Sequence, residues 1–199
     1  MKVTIMDYGV GNLHSLSKGL ERAGASTEVV SDPAELLGAE CIVFPGVGAF
    51  GAAAAAIAPV MDGLRARIGS GTPALGICLG MQLMFERSEE SPGAGLSAFD
   101  GDVRRVLGPR VPHMGWNEVV SSGDDLFDGV EDGARFYFAN SYVCHPREKV
   151  GIAETTYGEM FVSAVRKGRL CGVQFHPEKS GVPGLRVLSN FVRLAEDSA

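Results

Sequence analysis

Residues 76–80, GICLG, constrain this chain more than any other stretch. An apolar run, Pro73 to Ile77, reads as a buried strand, and Leu79 to Arg87 reads as a helix, so Cys78 falls at the turn between them. A side chain on such an elbow is pushed out over the carboxyl edge of a sheet, and Gly76 and Gly80 leave no Cβ where strand and helix crowd together. The exposed amides at a helix start favour the thiolate form of a cysteine. Two readings stand on the pentapeptide alone: a nucleophile, or the buried, inert cysteine that is the commoner fate of the residue.

The rest of the chain supplies the sheet that an elbow needs. Val3 to Met6 reads as a first strand, and Leu13 to Ala23 as a helix with Leu13, Leu16, Leu20 and Ala23 on one stripe, Asn12 as its cap and Gly24 as its stop. Strands are expected at Thr27 to Val30 and at Cys41 to Phe44, then an alanine-rich helix to about Ile68. This alternation predicts an α/β fold, a mostly parallel central sheet with helices on both faces. After residue 100 short strands are expected at 103–106, 116–120, 135–139, 161–166 and 170–175, forming a smaller antiparallel sheet, with a closing helix over about 184–195. With 199 residues, 45% of them hydrophobic, residues 1–199 are expected to make one domain around one core.

A formal net charge of −6 argues against an electrostatic grip on nucleic acid or on an anionic membrane. Residues 41 to 61 carry no charge over a membrane-spanning length, but Pro45, Pro59 and three glycines break them. Asp7 interrupts what would be the apolar part of an export signal, and the four cysteines form no C-x-x-C pair, so a reducing, cytoplasmic setting is expected. The dispersed histidines and cysteines make no legible metal site, and no cofactor is expected.

PGVGAFG at 45–51 contains G-x-G-x-x-G between a strand and a helix. A dinucleotide site would also need an acidic residue about 20 positions on, and none stands between Asp62 and Glu86. In a cysteine hydrolase the same glycines let amides point at a developing oxyanion, with donors at Gly48 and at Leu79 just after the nucleophile. The base that returns a proton to the departing nitrogen is best sought at His176, which ends the apolar run LCGVQF and precedes Pro177 and Glu178. If residues 176 to 178 are extended, His176 and Glu178 share a side, and the carboxylate holds the imidazole. His14 and His145 read as solvated or turn residues, and core packing is the default for Trp116.

With Cys78, His176 and Glu178 in these contexts, nearly the whole chain resembles the class I glutamine amidotransferases. DYGVGNLHS at 7–15, PGVGAFG, GICLGMQLMFE at 76–86, PHMGWNEV at 112–119 and VQFHPEKSG at 173–181 carry the resemblance. PHMGWN and HPEKSG are the narrower signals, similar to glutaminase subunits that serve imidazole glycerol phosphate synthesis in histidine biosynthesis. The resemblance implies that Cys78 attacks the side-chain amide of L-glutamine, that His176 shuttles protons, and that a thioester is hydrolysed to glutamate. It implies that Gln82 and Glu90 hold the glutamine with the backbone around Ser141 and Tyr142. It further implies that ammonia passes to a cyclase subunit with a (β/α)₈ barrel in a heterodimer, against a face that includes Asn12, Met114, Trp116 and Lys179. Asn140 departs from the pattern, standing where members often carry histidine near the glutamine pocket.

Overall fold

The computed structural model describes residues 1–9 and 11–197; Val10, in the middle of the Gly9–Gly11 stretch, lies outside them. Five strands form the parallel half of the main sheet: β1 (Lys2–Met6), β2 (Ser26–Val30), β3 (Cys41–Phe44), β4 (Ala74–Ile77) and β12 (Leu170–Val173). Between β4 and β12 in the chain come β5 (Gly101–Arg105), β6 (His113–Glu118), β7 (Val120–Ser121), β8 (Arg135–Asn140), β9 (Tyr142–Pro146), β10 (Gly151–Tyr157) and β11 (Glu159–Lys167). The spatial order is β2-β1-β3-β4-β12-β11-β10-β7, with β11, β10 and β7 antiparallel.

The antiparallel strands are therefore divided differently from the one smaller sheet expected. Three of them extend the main sheet, and four pair off as two ribbons, β5–β9 and β6–β8. The run at 170–175 is no part of the antiparallel group on its inner side: β12 lies parallel beside β4, with Val173 opposite Ile77. The last strand and the strand before Cys78 thus end side by side.

Helices cover both faces, as the alternation predicts. Val3, Ile5, Val43, Leu75 and Ile77 pack under α1 (Leu13–Arg22) and α5 (Gly181–Glu196), whose Leu16, Leu20, Leu188 and Phe191 complete that core. Ile42, Phe44 and Ala74 point the other way, onto Ile57 of α2 (Phe50–Ile57), Leu64 of α3 (Met61–Gly69) and Met81 of α4 (Leu79–Leu83). The alanine-rich helix is split because Pro59, which has no N–H to continue it, starts a 3-10 turn over Ala58–Val60.

The helix after Cys78 is shorter than expected and ends at Leu83 instead of Arg87. Met84 and Phe85 close it with tight bonds to Met81 and Gln82. The backbone of Glu86, Arg87 and Glu89 then pairs with Gly101 and Val103 of β5. Among the described residues no helix is long and apolar enough to cross a membrane.

Candidate active site

Cys78 occupies the elbow in a strained backbone, with φ 50° and ψ −104°. A non-glycine residue there costs about 1–3 kcal/mol, so the surroundings must hold it. Its N–H donates to Val173 O at 2.7 Å, and its carbonyl accepts from Gln82 N at 3.1 Å, the first bond of α4. The flanking glycines are required by contact: a Cβ on Gly80 would lie 1.9 Å from Phe44 O, and one on Gly76 2.5 Å from Gly80 O. Strand β3, strand β4 and helix α4 meet here backbone to backbone.

His176 follows β12 and is fastened by its N–H to Tyr137 O at 2.8 Å, while Ser180 Oγ donates to its carbonyl at 2.6 Å. Nδ1–H donates to Glu178 Oε1 at 2.9 Å, which leaves Nε2 buried without a hydrogen-bond partner. The pairing forms by a route other than the expected extension. Residues Pro177–Lys179 make a 3-10 turn that swings the Glu178 carboxylate back under the imidazole. Burial lowers the proton affinity of His176, but the neighbouring sulfur of Cys78 and the hydrogen-bonded carboxylate of Glu178 outweigh it and push the pKa up to about 10.

The glycine loop packs directly on the elbow. A Cβ on Gly46 would lie 2.2 Å from Ile77 O and 2.8 Å from Cys78 Cβ, and Gly48 takes a φ of 116° that favours glycine. Leu79 is the first residue of α4, so its N–H has no acceptor within the helix.

Of the residues expected to hold glutamine, Gln82 lies one turn beyond Cys78 and is buried. Its Nε2 donates to Tyr142 O at 3.1 Å and to Gln174 Oε1 at 3.4 Å. Asn140 Nδ2 donates to the same Tyr142 carbonyl at 3.0 Å, and Ser141 O accepts from Val106 N. Glu90 sits apart from this group in hydrogen bonding: its Oε2 accepts from Phe50 N at 2.6 Å at the start of α2.

Sequence reasoning passed over Gln174. It is fully buried, and its Nε2 donates to Cys78 Sγ at 3.5 Å. The available signal was a lone amide inside the buried run LCGVQF, two positions before His176.

The resting site is closed. Cys78 is 5% exposed and His176 1%, and Ala139 O stands 3.9 Å from the sulfur. The cavity beside His176 and Glu178, bounded also by Asn12 and Gly46, holds about 20 Å³. That is room for about one water molecule and not for an amino acid, so a substrate enters only when this region opens.

Close to it lies an exposed face. Trp116, 50% exposed, stands on β6 with Met114, 59% exposed; neither is core, contrary to the default for a tryptophan. Tyr137 of the paired strand meets the Trp116 ring edge-on at 6.1 Å and carries the Lys179 ammonium 5.7 Å above its own ring. Asn12, also exposed, caps α1 by accepting from Ser15 N. His14 is exposed, whereas His145 lies in β9 and not in a turn. Among the described residues no three His, Cys, Asp or Glu side chains are grouped to hold a metal, and all four cysteines are free and buried.

The glutamine amidotransferase class-I family matches residues 4–195. Imidazole glycerol phosphate synthase subunit HisH of Thermococcus kodakarensis is 47% identical over 199 residues, covering 96% of this chain and all of that one. The subunit of the same name from Methanothermobacter thermautotrophicus is 45% identical, covering 96% of this chain and 98% of its own. A crystal structure of a glutamine amidotransferase superposes with a TM-score of 0.78 over 98% of this chain and 99% of that one, at 19% identity. A glutamine amidotransferase from Thermotoga maritima does so at 0.74 over 99% of both chains, at 17% identity, and these two likenesses speak to the fold alone. The chain belongs to the class-I glutamine amidotransferases and, within them, to the HisH family, the glutamine amidotransferase subunits of imidazole glycerol phosphate synthase.

Proposed function

We propose that Cys78, His176 and Glu178 perform the glutaminase step of this subunit. The observation that carries the reading is the strained elbow at Cys78 beside an imidazole whose Nδ1 is held by Glu178 at 2.9 Å and whose Nε2 is free. The sulfur attacks Cδ of L-glutamine while His176, charged, holds the proton it has taken from the thiol. The tetrahedral oxyanion is received by the amides of Gly48 and Leu79. His176 gives its proton to the departing nitrogen, the C–N bond breaks and ammonia leaves a thioester on Cys78. Water, deprotonated by His176, attacks the thioester and returns the thiol and glutamate.

Gln82 and the backbone at Ser141 and Tyr142 hold the substrate's polar groups, and Glu90 receives its ammonium. The Glu90 carboxylate would then exchange part of its bond to Phe50 N for that charge. Asn140, on the same carbonyl as Gln82, shapes the loop over the pocket.

The ammonia goes to a cyclase subunit with a (β/α)₈ barrel, docked on the face of Asn12, Met114, Trp116 and Lys179. Exposed aromatic and methionine side chains with a cation at their rim suit such a contact. Free, buried thiols accord with a cytoplasmic setting. We further propose that residues 1–199 act as one domain. The test is Cys78→Ala in the assembled complex: glutamate release should vanish while the complex still forms. Glutamate release at the unmodified rate would overturn the assignment.

A further inference from the structure

A buried line of amides leads away from the nucleophile, and its polarity can be deduced. Tyr142 O is a carbonyl and can only accept, so the Gln82 group 3.1 Å from it must be the amide nitrogen. Gln174 lies 3.4 Å from that same nitrogen, and an NH₂ facing an NH₂ would leave two buried donors opposed. Gln174 therefore turns its oxygen to Gln82, and the planar amide then has its NH₂ facing Cys78 Sγ at 3.5 Å. The N–H donor at the sulfur follows from the network and not from the outline of one side chain.

We propose that Gln174 is a further catalytic residue: its side-chain N–H holds the Cys78 thiolate and ties it, through Gln82, to the β8–β9 connection that covers the site. This rests on the assignment of Cys78 as nucleophile. A donor aimed at an anion in a water-poor site makes a charge-assisted hydrogen bond that the neutral thiol does not, and it fixes the sulfur on one rotamer. Gln174 is itself fixed, since its backbone N–H donates to Ser163 O at 2.8 Å and its side chain is fully buried. The titratable groups facing the sulfur are His176, with Glu178 behind it, and the buried Cys144 thiol of β9. None of these supplies an uncharged donor of fixed direction. Because Gln82 shares its nitrogen between Tyr142 O and Gln174, displacement of the cover is felt at the sulfur through three hydrogen bonds.

The test uses the full chain with iodoacetamide, following carbamidomethylation of Cys78 by peptide mass between pH 5 and 10. Gln174→Leu should move the midpoint up by about one pH unit and slow alkylation about tenfold at neutral pH. Gln174→Glu, which keeps the bond to Gln82 but sets a carboxylate against the sulfur, should move it further. In the complex with the cyclase subunit both variants should lower kcat for glutamate release with little change in KM. Melting temperatures identify a variant that has not folded. For that case, in the unmodified chain, the ¹⁵N-labelled side-chain amide signal of Gln174 should shift through the Cys78 titration. A wild-type alkylation midpoint in a folded variant, or a flat amide signal, overturns the role of Gln174. If Cys78→Ala retains glutamate release, the nucleophile assignment itself fails, a separate outcome from a wild-type profile in the Gln174 variants.

Discussion

Gly80→Ala adds one methyl group at the most crowded point of the elbow, and its cost follows from the geometry. The new Cβ would stand 1.9 Å from Phe44 O, 2.6 Å from its carbonyl carbon and 2.9 Å from Phe44 Cβ. An ordinary contact begins near 3.4 Å, so β3 and α4 must part by about 1.5 Å. The obstructing atom is a strand carbonyl and cannot rotate aside. Overpacking costs about 1–3 kcal/mol, and an immovable neighbour puts this site at about 3 kcal/mol. For a domain of this size that is a fall in Tm of about 6–12 °C. Activity should fall more steeply, because a shift of about 1 Å at reacting groups costs on the order of a hundredfold.

Gly69→Ala is the control. It lies at the end of α3 with nothing within 4 Å of its Cβ position, and it should be neutral or gain up to about 1 kcal/mol. Urea unfolding followed by circular dichroism gives the stabilities, and glutamate release in the complex gives the activity. A Gly80→Ala protein within about 0.5 kcal/mol of wild type and fully active would refute the packing account of the GICLG glycines.

Other outcomes follow from the same geometry. His176 is raised in the fold from 6.5 to about 10, so its stabilising contribution is complete below pH 6.5 and is lost as the pH climbs towards 10. Urea titrations should show that decline, and Glu178→Gln should flatten it. His113 behaves oppositely: burial between Tyr157 and Phe138 depresses it from 6.5 to about 4, so stability should fall as pH drops through that interval. His113→Phe should remove this acid slope. Trp116→Ala should leave the melting temperature of the subunit within about 2 °C, since the ring is half exposed, yet weaken cyclase binding by about 2 kcal/mol or more in calorimetry.

Much of this was legible because local pattern and final environment agree. The run CIVF and the stripe of Leu16 and Leu20 are buried as their periodicities require. The elbow was legible for a stricter reason, since two glycines at that spacing answer a backbone contact that no other residue permits. Helix α4 was overextended because residues 84–87 keep a helical texture, and what ends the helix is pairing with β5, a partner distant in sequence.

Strands β9 and β10 escaped notice for different reasons. Pro146 and His145 give β9 the look of a turn, and register shifts between Gly151 and Glu154 spoil the alternation of β10. At the site, the His176–Glu178 pair was legible as composition, but its 3-10 turn was not. Gln174 escaped because hydrogen-bond polarity exists only once Tyr142, Gln82 and Cys78 are neighbours.

The place of β12 has a consequence for how the subunit is made. The N–H of Cys78 is held by Val173 of the last strand among the described residues, and Gln174, just past that strand's end, reaches the sulfur across 96 positions of sequence. During synthesis the elbow sequence leaves the ribosome long before that strand exists, so a nascent or prematurely ended chain carries Cys78 without Val173, Gln174 or His176 beside it. On the proposed assignment of Cys78 and His176, an incomplete chain should therefore leave glutamine untouched until β12 pairs with β4.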